Sequence, residues 1–80
     1  IALTRDVTLI GRGDGCDVRI DDRTVAKRHC VLAVADGFVL VRDLQTKNGV
    51  RVNGKRVRRG VLFLGDRLSL AKFKFHVTFD

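Results

Sequence analysis

Short apolar runs alternate with polar turns along the whole chain, and most of these turns contain glycine. The predicted strands cover residues 7–10, 17–20, 30–34, 38–41, 50–52, 56–57, 68–70 and 73–79. The sequence contains no segment that keeps a helical period of useful length. Many short strands separated by glycine-rich turns indicate an all-β sandwich or barrel.

Two of the turns predict hairpins. Ala35-Asp36-Gly37 separates the strands at 30–34 and 38–41, so these two strands are expected to pair. Asn53-Gly54 is the dipeptide best suited to a two-residue turn, and it lies between 50–52 and 56–57.

The last run alternates with period two, which predicts a half-buried strand. One face carries Phe73, Phe75, Val77 and Phe79, and the other carries Lys74, His76 and Thr78. We expect all five phenylalanines of the chain to be core residues.

The size predicts one small domain over residues 1–80 with a modest core. The hydrophobic fraction of 45% argues against disorder. Both ends lie within strand-like sequence, so we expect a domain cut from a longer protein. The chain contains neither a run of about 18 apolar residues nor a start like that of a signal peptide, and we expect a cytoplasmic location.

The two cysteines, Cys16 and Cys30, are too few for a disulfide scaffold. We interpret them as small buried thiols, with a disulfide or metal pair as the alternative. The cysteines and histidines do not have the spacing of a zinc site.

The net charge of +7 comes from 16 Lys and Arg against 9 Asp and Glu. Such a domain favours acidic partners, which include phosphopeptides, acidic peptides, nucleic acid and anionic lipid. The charge alone does not choose among them.

Four short segments fit one further pattern: Gly11-Arg12, Ala26-Lys27-Arg28-His29, Thr46-Lys47-Asn48-Gly49 and Val52-Asn53-Gly54-Lys55. In this order and spacing they resemble the forkhead-associated (FHA) domain, a module that binds phosphothreonine peptides. The resemblance covers nearly the whole chain. It implies an FHA/SMAD-like β-sandwich of about ten or eleven short strands.

The resemblance also implies a binding surface. The arginine of the Gly-Arg pair, here Arg12, is the principal phosphate contact, and guanidinium can give a phosphate two parallel hydrogen bonds. Lys27 matches a position that touches phosphate in some members. In the third segment Thr46 begins the turn, Lys47 lies near the phosphothreonine and Asn48 binds the peptide backbone. We expect Arg12 to be exposed.

The remaining matched positions support that surface or depart from the pattern. Gly11 and Gly49 fit the turns, and His29 matches a histidine that braces the loops. The family carries serine three residues before this histidine, where this chain has Ala26. A hydrogen bond to a charged group contributes about 1.5–3 kcal/mol, so its loss weakens phosphate binding unless Lys27, Lys47 or the nearby Thr24 compensates.

The sequence therefore predicts a non-catalytic module that binds a phosphothreonine protein or peptide. The alternative, favoured by Ala26, is an FHA-like assembly module that binds partners without phosphate. We expect no enzyme activity, because Ser69 is the only serine and has no recognisable base near it. We also expect neither a cofactor nor a metal. Nucleic-acid binding is disfavoured because the phenylalanines are expected in the core, and no direct membrane contact is expected. The oligomeric state is left open.

Overall fold

A computed structural model describes residue 3 and residues 6–78. This part of the chain forms nine strands and no helix. The strands are β1 (Val7–Gly11), β2 (Val18–Arg19), β3 (Cys30–Ala35), β4 (Phe38–Asp43), β5 (Val50–Val52), β6 (Lys55–Val57), β7 (Arg59–Leu62), β8 (Arg67–Leu70) and β9 (Phe73–His76).

The strands form two sheets. The five-stranded sheet has the order β2-β1-β3-β4-β7, and the four-stranded sheet has the order β6-β5-β8-β9. All pairs are antiparallel except β1 with β2. The predicted all-β class is confirmed, and the described residues contain nine strands where the resemblance implied ten or eleven.

The core consists of the apolar side chains that alternate toward the interior of the sandwich. Its buried members are Ile10, Val25, Cys30, Leu32, Val39, Val41, Val50, Leu62, Leu68 and Leu70. Phe73, Phe75 and Val77 pack against them and are half-buried. In a domain of this size such burial is the main source of stability.

Both predicted hairpins are present. Ala35 pairs with Phe38 across the first turn, and Val52 pairs with Lys55 across the second. Asn53 and Gly54 have φ values of 51° and 85°, the left-handed pair that a two-residue turn of this type requires.

The alternation of the last run is confirmed over residues 73–78, where odd positions are half-buried and even positions are exposed. The strand itself ends at His76, although Val77 still exchanges backbone hydrogen bonds with Asp66 and Gly65. Phe79 lies outside the described residues.

The sequence pattern missed β7. Its signal is weak because Gly60 interrupts it, and glycine disfavours strands in general. A Cβ atom on Gly60 would lie 3.0 Å from Cγ2 of Val52 in the other sheet. The glycine therefore permits close approach of the two sheets at this point.

The expectation that every phenylalanine is a core residue is wrong for Phe63, which is 55% exposed, and for Phe38, which is half-buried but lies outside the core cluster. Phe63 follows β7 and continues its outward face, in register with Val61. Its ring contacts that of Phe38, with the centroids 6.3 Å apart. One ring pair, of which only Phe63 is exposed, is not the series of stacking platforms that single-stranded nucleic acid requires.

Within residues 6–78 the chain has no apolar helix of membrane-spanning length.

The turn between β5 and β6 gives a test of the fold. We expect Gly54→Ala to lower the free energy of unfolding by about 1 kcal/mol, because alanine is strained at a φ of 85°. For a domain of this length that corresponds to a fall in Tm of about 4–8 °C, measurable by thermal denaturation.

Gly15→Ala is the matched control, since Gly15 has ordinary φ and open space around its Cβ position. We expect this variant to be as stable as the parent or slightly more stable. Equal losses in both variants would contradict the argument from the turn.

Candidate functional site

The Gly11-Arg12 end of β1 is hydrogen-bonded to the loop that precedes β3. The Arg12 amide donates to the Ala26 carbonyl at 2.9 Å, and the Gly13 amide donates to the Lys27 carbonyl at 3.0 Å. A Cβ atom on Gly11 would lie only 2.3 Å from the Lys27 oxygen. Glycine is therefore required at position 11 for these two segments to meet.

Arg12 is half-buried, so the expectation of an exposed side chain is wrong. Its Nε donates to the Val25 carbonyl at 3.1 Å, and its own carbonyl accepts from Nε of Arg19 at 2.9 Å. The bond to Val25 orients the guanidinium, which reduces the conformational entropy that a ligand would have to remove.

His29 is fully buried and joins two loops. Its Nδ1 accepts from the Ala26 amide at 3.1 Å, and its Nε2 lies 2.8 Å from the Gly49 carbonyl. Because Nδ1 is the acceptor, Nε2 carries the proton and donates to Gly49. Ala26 and Gly49 are thereby held on either side of one imidazole ring.

The Thr46-Lys47-Asn48-Gly49 turn is closed by the Thr46 hydroxyl. This hydroxyl donates to Oδ1 of Asp43 at 2.6 Å and accepts from the Gly49 amide at 3.0 Å. Gly49 has a φ of 70°, a left-handed conformation that glycine adopts readily. On the outside of the turn Arg56 donates through one terminal nitrogen to the Thr46 and Lys47 carbonyls, at 3.3 and 3.2 Å.

Asn48 connects this turn to the loop before β3, because its Nδ2 donates to the Thr24 carbonyl at 2.6 Å. Thr24 is in turn held by Asp22, whose Oδ1 accepts from the amide and the hydroxyl of Thr24. These bonds from Thr24 and the nearby Lys72 ammonium, 2.9 Å from Asp22, hold the pKa of this carboxyl well below its usual range.

The predicted site positions therefore lie on three connected segments. Lys27, Lys47 and Asn48 are exposed, whereas Ala26 and Thr46 are half-buried. The hydrogen bonds described above join the three segments.

Sequence reasoning missed three residues that hold these segments: Asp22, Asp43 and Arg56. The spacing of Asp43 and Thr46 could have indicated a side-chain-to-backbone turn. The sequence carries no comparable signal for Arg56, which lies in β6, ten and nine residues beyond the two carbonyls that it binds.

Both cysteines are free thiols. Cys30 is buried and Cys16 is half-buried, with Sγ of Cys16 donating to the Lys27 carbonyl at 3.1 Å. Burial raises the pKa of the Cys30 thiol to about 12, and the nearby Asp43 adds to the effect. Cys30 is thus an unreactive core residue.

Among the described residues, no three His, Cys, Asp or Glu side chains are grouped so as to hold a metal ion.

Comparison with known protein families decides the family. The sequence profile of the FHA domain matches residues 8–71, which is most of the chain. The chain belongs to the FHA domain family. The matched range includes all the segments that form the loop network described above.

A curated relative and two solved structures illustrate the similarity. The chain is 36% identical to the oxoglutarate dehydrogenase inhibitor of Corynebacterium diphtheriae, covering 90% of this chain and 50% of that protein. It is 29% identical to EmbR of Mycobacterium tuberculosis in complex with a low-affinity phosphopeptide, with a TM-score of 0.86, covering 92% of this chain and 20% of that one.

The second structure comes from a study of phosphothreonine-dependent FHA domain interactions. It is 30% identical, with a TM-score of 0.82, and covers 90% of this chain and 75% of that one. These likenesses confirm the FHA β-sandwich. The chain spans about half the length of the first curated relatives that it matches.

The buried histidine gives a prediction on stability. We expect His29→Ala to lower the free energy of unfolding by about 3 kcal/mol, because it leaves a cavity and removes the partners of the Ala26 amide and the Gly49 carbonyl. Urea denaturation measures this loss. The matched control is His76→Ala on the exposed face of β9, for which we expect a change within about 0.5 kcal/mol. Similar losses at the two histidines would contradict the bracing role.

The lowered pKa of Asp22 gives a prediction on pH. A carboxyl whose pKa is lower in the folded than in the unfolded state stabilises the fold above its unfolded pKa, near 3.9. This stabilisation is lost as pH falls through the folded pKa. We therefore expect the stability difference between the parent and Asp22→Asn to be constant from pH 7 to 5 and to shrink below about pH 4, as measured by urea denaturation. A difference that stays constant down to pH 2 would contradict the assignment.

Proposed function

We propose that this domain is a non-catalytic recognition module that binds a phosphothreonine-containing segment of a partner protein. The observation that carries the proposal is the hydrogen bonding of the Gly11-Arg12 segment to the loop before β3, through the Ala26 and Lys27 carbonyls. That contact supports a single ligand surface formed by segments far apart in sequence. Family membership supports phosphothreonine as the ligand.

In this proposal Arg12 is the principal phosphate ligand. Its Nε is occupied by the Val25 carbonyl, which leaves the terminal nitrogens of the guanidinium for two parallel bonds to phosphate. Lys27 and Lys47 are exposed, and in this proposal they add positive charge to the same surface. Such charge–charge contacts at an exposed site weaken as salt rises.

Asn48 is the proposed contact to the peptide backbone. Its Nδ2 is held by Thr24, so the side-chain oxygen is oriented and available to accept from a peptide amide. His29, Gly11 and Gly49 hold the loops and take no part in binding.

Ala26 is the weak point of the proposed pocket. It contributes its backbone amide to His29 and its carbonyl to Arg12, but it has no hydroxyl for a phosphate. We infer that binding is present but weaker than in a pocket with serine at this position. An assembly module that binds without phosphate is the competing function that Ala26 supports.

Arg12→Gln tests the proposed phosphate ligand. We expect at least a tenfold loss of affinity for a phosphothreonine peptide library, because the charge-assisted bonds are removed while a polar, uncharged side chain remains. Fluorescence anisotropy against the unphosphorylated library measures this loss.

Arg67→Gln is the control for Arg12→Gln. It removes the same charge from β8, in the other sheet, and should change affinity less than twofold. Equal losses in the two variants would point to non-specific attraction.

Ala26→Ser tests the pocket directly. We expect a gain in affinity of about tenfold, because the new hydroxyl donates to a charged acceptor while the backbone contacts of residue 26 are unchanged. If neither the parent nor the serine variant separates phosphorylated from unphosphorylated peptides at millimolar concentration, the proposal fails and the assembly function is favoured.

A further inference from the structure

Two pairs of arginines face each other directly across neighbouring strands. Arg42 of β4 is paired with Arg59 of β7, and Arg51 of β5 is paired with Arg56 of β6. Like charges directly opposite each other destabilise a sheet. An anion bound beside either pair would offset the repulsion between its two arginines.

Three of these arginines, together with Arg58, line two adjoining hollows on one flank of the sandwich. The hollows have volumes of about 460 and 300 Å³ and share Asp43, Gln45 and Arg58. The larger hollow adds Arg56, and the smaller adds Arg42 and Arg59. Four arginines therefore line these two adjoining hollows, which together are called the depression below and lie beside β4, β6 and β7.

The charge of this depression is not balanced internally. Asp43 is the only acidic residue in its lining, is 8% exposed and is engaged by the Thr46 hydroxyl. Within residues 6–78, none of the four arginines forms an ion pair. The single Asp43 carboxylate therefore does not balance the four positive charges of the arginines.

The depression and the proposed phosphopeptide surface share one loop. Arg56 donates from the depression to the Thr46 and Lys47 carbonyls, while Lys47 and Asn48 are exposed in the same loop. An extended peptide advances about 3.3 Å per residue, so a few residues are enough to cross this loop.

We propose that Arg42, Arg56, Arg58 and Arg59 form a second anion-binding site, which takes a Glu- or Asp-rich segment of the same phosphorylated partner. The inference rests on the proposed function. The four guanidinium groups come from two strands of one sheet, a strand of the other and the connection between them, and the depression is open. This spread suits a row of separate carboxylates better than one phosphate, and each guanidinium can bind a carboxylate through two nitrogens. Gln45 adds an uncharged amide to the lining.

The test uses phosphothreonine peptides with a six-residue tail of Glu or Gln at either the N- or the C-terminal end. We expect the Glu tail to improve the Kd about tenfold over the Gln tail at one end only, because the depression lies on one side of the loop. Arg58→Gln/Arg59→Gln should reduce this gain to less than twofold.

The matched control is Arg67→Gln/Lys74→Gln, which removes two charges from β8 and β9 and should retain the gain. Equal gains from tails at both ends, or equal losses in both double variants, would show non-specific attraction and overturn the inference. Thermal denaturation checks that both double variants fold. If Arg58→Gln/Arg59→Gln does not fold, the single variant Arg42→Gln replaces it and should also lower the gain from the Glu tail.

The Gln-tailed phosphopeptide distinguishes failure of the proposed function from failure of the second site. If the Gln-tailed phosphopeptide does not bind at all, the proposed function is wrong, and the second site for the same partner fails with it. If that peptide binds but neither Glu tail improves the Kd, only the second site is wrong. Replacing the Glu tail with a second phosphothreonine identifies the preferred anion. A larger gain from the phosphate than from the carboxylates would overturn the assignment of an acidic segment.

Discussion

One buried imidazole joins the loops that carry the proposed phosphopeptide contacts. His29 accepts the Ala26 amide at Nδ1 and donates to the Gly49 carbonyl at Nε2. Its backbone amide donates to Ile10, directly before the Gly-Arg pair, and its carbonyl accepts from Leu44. One residue thus ties together the ends of β1, β3 and β4. Because the ring is out of contact with water, each of its bonds is costly to break.

The hydrogen bonds that hold the loops, here called the frame of the site, are distinct from the side-chain groups proposed to contact the ligand. Ala26 contributes to the frame only through its backbone amide and carbonyl, so its side chain is independent of the loop geometry. Thr46 is different, since its hydroxyl itself closes the turn by bonding Asp43 and Gly49. In the proposed site, the missing hydroxyl at position 26 would therefore lower ligand affinity without loosening the loops, whereas loss of the Thr46 hydroxyl would loosen the turn itself.

Local sequence rules predicted most strands because their signals are local. Asn53-Gly54 demands a tight turn, and the alternation from Phe73 onward demands a half-buried strand. The strand β7 was missed because Gly60 serves a contact with Val52 in the other sheet, which no local pattern records. Phe63 was wrongly assigned to the core because apolar character alone does not tell which face of an edge strand meets solvent.

The sequence motifs predicted which segments form the site, but they did not predict the hydrogen bonds between those segments. The sequence does not indicate that Nε of Arg12 is held by Val25 or that Arg56 of β6 reaches back to the Thr46 turn. The second contact has an electrostatic consequence. Arg56 faces Arg51 across its hairpin and lines the depression beside Arg58, so the residue that supports the recognition loop also adds to an unbalanced positive field. An anion bound there would relieve that repulsion while Arg56 remains bonded to the loop, which makes the two sites energetically compatible.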